Sequence, residues 1–182
     1  ETMSTKLEKV ISDIEKTDRN ELLKAVIEAA MLTNYRFDRY KSSKPPKRLS
    51  EITVIEKQPS KKTVQAVSSA ATLAQAVMTA RDLVNEPANV IYPETLAKKA
   101  SELGRKHGFV TQIFNEKEIA KLKMDAFLAV SRASVKKPRL IVMRYTGDPS
   151  KKEDITALVG KGLTYDSGGL ALKQADGMKN MK

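Results

Sequence analysis

The sequence runs to 182 residues and 20.2 kDa, with 41% hydrophobic and 30% charged positions, enough for one ordinary core or slightly more. It has no cysteine, which excludes disulfide scaffolds, thiolate zinc sites, iron–sulfur clusters and cysteine nucleophiles, and its single histidine, His107, excludes every motif that needs two. The 33 Lys and Arg against 22 Asp and Glu leave a net charge of +11, but the excess is spread: residues 1–62 carry 14 basic and 10 acidic side chains, and residues 63–182 carry 19 and 12. A spread of this kind describes a solvated surface better than a nucleic-acid-binding segment. No apolar run approaches the roughly 18 residues of a membrane span, and the start lacks the layout of a signal peptide, so the expectation is a cytoplasmic protein with no membrane partner.

In chain order, Leu7, Val10, Ile11 and Ile14 stand at helical spacing, with Ser4 as a candidate cap. Asp18 and Glu21 have capping-box spacing ahead of Leu22, Leu23, Val26, Ile27, Ala30 and Met31, a wide apolar stripe that predicts a firmly packed helix. From Ser42 to Ser60 the composition turns to Lys, Ser and the prolines Pro45, Pro46 and Pro59, an exposed connector interrupted by the alternating stretch Glu51 to Glu56, a candidate edge strand. Val67, Ala70, Ala71, Ala74, Val77, Met78 and Leu83 trace an Ala-rich helical face that stops at Asn85-Glu86-Pro87. Pro93 suits a first helical position, Leu96, Ala97, Ala100 and Leu103 continue that helix, and Gly108 closes it. Phe109 to Phe114 reads as a strand, and Asn115 with Glu118 as a capping pair for a short helix. Ala126 to Ser131, Arg139 to Tyr145 and Ile155 to Gly160 are strand-length apolar runs. Helices alternating with strands predict an α/β fold.

The stretch from Ala157 to Lys173 carries the chemistry, because an apolar run feeds directly into a loop rich in glycine and charge, and ligands in open α/β sheets sit at the carboxyl ends of strands. Gly160, Gly162, Gly168 and Gly169 could turn backbone N–H groups toward an anion, but Lys161 is followed by Gly162 where a phosphate loop needs Ser or Thr. The other reading is a metal site. Asp166 supplies a hard carboxylate, Lys161 reaches the same point, and a lysine beside a divalent cation can lose its proton and offer its lone pair. Lys173 would keep its proton and donate to a developing oxyanion. Taken singly, such lysines are solvated side chains and a glycine-flanked aspartate is a turn residue.

The string Val159-Gly-Lys161-Gly-Leu-Thr-Tyr165-Asp166-Ser-Gly-Gly-Leu-Ala-Leu-Lys173 closely resembles the signature of the leucyl aminopeptidase (cytosol aminopeptidase) family. Four further segments resemble it in the family's order: Asn34-Tyr-Arg-Phe-Asp-Arg-Tyr-Lys41, Ala80-Arg-Asp-Leu-Val-Asn-Glu-Pro-Ala-Asn89, Ala126-Phe-Leu-Ala-Val130 and Pro138-Arg-Leu-Ile-Val142. The resemblance implies the start of a mixed-sheet catalytic domain with flanking helices, preceded by a helical linker and a remnant of an N-terminal domain. On that basis residues 1–62 are the end of the N-terminal domain, linking helix and connector, and residues 63–182 the N-terminal part of the catalytic peptidase domain. It implies that Lys161 binds one of two divalent ions (zinc, manganese or magnesium), that Asp166 bridges both, and that Lys173 holds substrate and stabilises the tetrahedral intermediate. Met181 falls where the family has a pocket residue facing the first substrate side chain, with ordinary packing as the alternative. The implied activity is release of N-terminal residues, leucine and similar, from peptides with a free N-terminus by metal-activated water, in a homo-hexamer.

The departures from the family pattern are Tyr165 in place of Phe, Gln174 in place of Pro and Arg132 in place of Gly. The family takes its remaining metal carboxylates from sequence beyond Lys182, and Asp176, the acidic residue that follows Asp166, does not match a family ligand. The expectation is therefore that the 182-residue chain alone is inactive. The competing reading is a basic DNA-binding or non-catalytic scaffold fragment, for which the sequence offers +11 but no DNA-reading motif.

Overall fold

The computed structural model describes residues 17–43, 49–55, 57–151, 153–178 and 181. The expected helix around Leu7 to Ile14 lies outside the described residues. Two compact units divide between Asn85 and Glu86, so the expected catalytic portion, 63–182, begins within the last helix of the first unit.

In the first unit, helix α1 (Arg19–Thr33) begins where Asp18 accepts from the N–H groups of Asn20 at 2.9 Å and Glu21 at 3.3 Å. Two N–H groups left without intrahelical partners are thereby satisfied. The Glu21 side chain pairs with Lys24 Nζ at 2.6 Å rather than reaching back to close a box. Helix α2 (Lys61–Asn85) is capped by Ser60, whose hydroxyl accepts from the Thr63 N–H at 3.1 Å, and it ends just before Pro87, which has no N–H to continue it. The two helices pack together through Ile27 of α1 and through Ala66, Ala70 and Ala74 of α2, all buried. Alanine at every fourth position keeps one face of α2 shallow, so a neighbouring helix can approach closely.

Two further contacts bind the segment directly after α1 to the rest of this unit. The Asn34 amide donates to the Leu49 carbonyl at 2.9 Å and accepts from the Leu49 N–H at 3.2 Å. The Tyr35 hydroxyl donates to Asp82 Oδ1 at 2.8 Å and accepts from Asn85 Nδ2 at 3.1 Å, with the Arg81 guanidinium 5.6 Å from the centre of its ring. Desolvation is the main reason the Tyr35 phenol is pushed above its ordinary pKa. The candidate edge strand, Glu51 to Glu56, is not a strand among the described residues, and Ile52, Val54 and Ile55 are exposed. An isolated extended segment has no ladder partner for its backbone groups.

In the second unit, helix α3 (Pro93–His107) opens with Pro93 and ends at Gly108, whose left-handed backbone (φ 77°) closes it. The Thr95 hydroxyl accepts from the Tyr92 N–H at 2.9 Å and donates to the Val90 carbonyl at 2.7 Å. Strand β1 (Val110–Phe114) pairs antiparallel with β2 (Leu140–Arg144), Val110 opposite Arg144 and Phe114 opposite Leu140. α3 lies against β1 through Ala97, Ala100 and Gly104. A Cβ on Gly104 would fall 2.6 Å from Thr111 Oγ1 and 2.7 Å from the Phe109 carbonyl oxygen, so only glycine admits this approach.

Helix α4 (Glu116–Lys121) carries the full reciprocal cap: Asn115 Oδ1 accepts from Lys117 and Glu118 N–H, and Glu118 Oε2 accepts from the Asn115 N–H at 2.7 Å. Its Ile119 is wholly buried. Helix α5 (Asp125–Ser131) corrects the strand expected over Ala126 to Ser131. Phe127, Leu128 and Ser131 are the partly buried positions, a helical rather than alternating spacing, and a short apolar run cannot be assigned by composition alone. Ile155 to Gly160 is likewise not a strand: Leu158 and Val159 are almost fully exposed, and the sheet among the described residues consists of β1 and β2. A one-turn helix, α6 (Ala175–Met178), comes after the glycine-rich loop. The unit is an α/β layer with a small sheet, and no helix of the described residues is long and apolar enough to cross a membrane.

Candidate functional site

The loop from Lys161 to Met181 is organised around Asp166. Its Oδ1 accepts from the Gly168 N–H at 2.9 Å, an Asx turn, and its Oδ2 lies 3.5 Å from Lys173 Nζ. The Gly168 hydrogen bond is the main cause that holds the Asp166 carboxyl below its ordinary pKa, partial desolvation opposes it, and the charges of Lys173 and, least, Lys161 reinforce it. The turn depends on glycine: Gly168 sits at φ 91°, and a Cβ there would run into the Ala171 carbonyl oxygen. The Lys173 N–H donates to the Ser167 carbonyl at 2.9 Å, which returns the chain so that this lysine faces the carboxylate.

Of the four residues singled out from the sequence, Asp166 and Lys173 come together directly and Lys161, exposed, acts on Asp166 through its charge. Met181 meets Asp166 through the backbone, its carbonyl accepting from the Asp166 N–H at 3.0 Å. Asp176 lies in α6 and is exposed. Sequence reasoning missed the Gly168 N–H as the strongest partner of Asp166, although the Asp-x-Gly spacing is a signal for it. It also missed the hydrogen bond from the Tyr165 hydroxyl to Met178 Sδ at 3.4 Å.

The donor set can be weighed on its chemistry. Asp166 offers a hard anionic oxygen and Lys161 an amine, both suited to a divalent ion. Among the described residues no three His, Cys, Asp or Glu side chains are grouped to hold one. Lys161 and Asp166 by themselves offer a divalent ion two donors at most. A cavity of about 500 Å³, lined by Asp18, Glu21, Lys24, Lys61, Lys62 and Ser69 among others, lies in the first unit between the starts of α1 and α2 and includes none of the four site residues.

These features define an α/β domain that presents a carboxylate and a lysine as an ion pair on a glycine-rich loop. The chain belongs to the cytosol aminopeptidase family: residues 78–182 match the catalytic domain of that family. A probable cytosol aminopeptidase of Clostridium perfringens is 48% identical over 166 residues, 88% of this chain and 33% of that protein. One of Treponema denticola is 45% identical over the whole of this chain and 39% of its own length. The chain thus spans 33% and 39% of the length of these relatives. Among solved structures, the bottromycin maturation enzyme BotP in complex with Mn superimposes with a TM-score of 0.75 at 34% identity, over 91% of this chain and 34% of that one. A mutant of tomato leucine aminopeptidase gives 0.71 at 29% identity, over 81% and 30%.

Proposed function

We propose that these residues form part of a metal-dependent aminopeptidase that releases N-terminal residues, leucine and similar, from peptides with a free N-terminus. The observation that carries the reading is the Asp166–Lys173 pair at 3.5 Å on a glycine-rich loop inside the family match. Lys161 and Asp166 take part in holding two divalent ions, manganese, zinc or magnesium, with further carboxylates outside the described residues completing the set. Such ions, when bound, supply an activated water and polarise the peptide carbonyl. Asp166 contributes an anionic carboxylate oriented by the Gly168 N–H. Lys173 donates toward the carbonyl oxygen as negative charge develops there. Met181 borders the space for the first side chain. The proposal extends to a cytoplasmic homo-hexamer, with 63–182 as the N-terminal part of the catalytic domain and 1–62 as the end of the N-terminal domain, linking helix and exposed connector. The 182 residues taken alone are expected to leave leucine amide intact.

The test is leucine amide hydrolysis by the full-length protein after dialysis against a chelator, with each metal added back in turn. Restored turnover that Asp166→Asn lowers on the order of 100-fold supports the reading. Metal-independent turnover, or an Asp166→Asn variant as active as the parent, overturns it. The alternative, a DNA-binding surface drawing on the net +11, predicts affinity that falls steeply with salt. No binding at low salt removes it.

A further inference from the structure

The segments before and after the glycine-rich loop are joined by three contacts that close on one another. The Tyr165 hydroxyl donates to Met178 Sδ at 3.4 Å, the Met181 N–H donates to the Met178 carbonyl at 3.1 Å, and the Asp166 N–H donates to the Met181 carbonyl at 3.0 Å. Tyr165 and Asp166 are adjacent, so the contacts form a ring: Tyr165 grips Met178, Met178 anchors Met181, and Met181 ties back to Asp166. Two of the three links are backbone bonds that any sequence could make. The Tyr165 hydroxyl is the one set by a side chain, and α6 alone is too short to hold its own position, being a single turn.

We propose that Tyr165 is a positioning residue that holds Met181 at a fixed place beside Asp166 by way of Met178, and so sets how the first side chain of the substrate is received. It rests on the reading that Asp166 and Met181 border the peptide-binding site. An O–H to thioether bond is weak, so its loss changes affinity by about two- to fivefold rather than abolishing it. The effect falls on recognition, because Lys173 and the carboxylate of Asp166 keep their own contacts through the Gly168 turn.

The test uses the full-length protein with 13C-methyl methionine, as wild type, Tyr165→Phe, Met178→Leu and the double variant. Tyr165→Phe is expected to shift the methyl resonances of both Met178 and Met181. It should raise KM for leucine amide about two- to fivefold while KM for alanine amide and kcat for both stay within about twofold. Met178→Leu should reproduce the KM change, and the double variant should add nothing to it. A Met181 methyl that stays in place in Tyr165→Phe overturns the proposal. So does an equal fall in kcat for both amides at unchanged KM, the mark of a merely structural loss. Should the wild type leave both amides intact, the aminopeptidase reading falls, and the Met181 resonance alone decides whether the ring of contacts exists.

Discussion

Within the second unit, the segment Pro93 to Arg144 and the segment Ile155 to Met181 are held in opposite ways. In the first, the helix ends are fixed by residues close to them in sequence, Pro93 and Thr95 at the start of α3, Gly108 at its end, Asn115 and Glu118 at the start of α4, and β1 and β2 hold each other through a five-residue ladder. In the second, Leu158, Val159 and Leu170 are nearly or fully exposed, and the chain is held by the Asx turn at Asp166 and a few single hydrogen bonds to Asp166 and Met178 rather than by helix caps or a ladder. Self-contained elements make a scaffold. A loop that leaves a carboxylate and two lysines within reach of solvent and is held by few contacts belongs to the less stable parts of a fold.

The sharpest way to break this contrast is to change one residue on each side and ask which property moves. Lys173→Ala should reduce kcat of the full-length protein toward leucine amide on the order of 10²- to 10³-fold, as removal of an oxyanion donor does, with the melting temperature nearly unchanged. Gly104→Ala should do the reverse. Its Cβ would stand 2.6 Å from Thr111 Oγ1 and 2.7 Å from a backbone carbonyl, so α3 must lift from β1, at a cost of about 2 kcal/mol in denaturant unfolding. If Gly104→Ala unfolds at the wild-type midpoint, the helix–strand contact is looser than the structure has it.

The same contrast explains which features are legible in the sequence. The starts of α1, α3 and α4 and the end of α3 can be read there because Asp18, Pro93, Asn115 and Gly108 act on backbone groups within four residues of themselves. The run Ala126 to Ser131 reads wrongly as a strand because Ala, Phe, Leu and Val in a short stretch serve a partly buried helix as well. Ile155 to Gly160 has the composition of a strand, but a strand exists only where another supplies the ladder, and no local pattern encodes that partner. Asp166 and Lys173 stand out by residue type and glycine spacing. That Met181 lies beside Asp166, and Met178 beside Tyr165, depends on how the chain returns after Lys173, which is a tertiary fact.

Smaller effects sharpen the comparison further. Asn115→Ala removes the acceptor for two N–H groups at the start of α4 and should cost about 1 kcal/mol without touching turnover. On the loop, the smallest and most specific effect is the titration of Asp166, followed by 13C NMR of its carboxyl. Its folded pKa is depressed, so the interactions that depress it contribute stability above the unfolded aspartate pKa and lose it as pH falls through the folded value. In the metal-free protein the Asp166–Lys173 pair should thus persist below the ordinary aspartate range. The largest single cause is the Gly168 N–H, which outweighs the opposing desolvation, so Lys173→Ala should raise the Asp166 pKa yet leave it below the ordinary value. A return to the ordinary value would mean that the lysine, not the turn, orients the carboxylate, and the loop would then be less preorganised than its Asx turn implies.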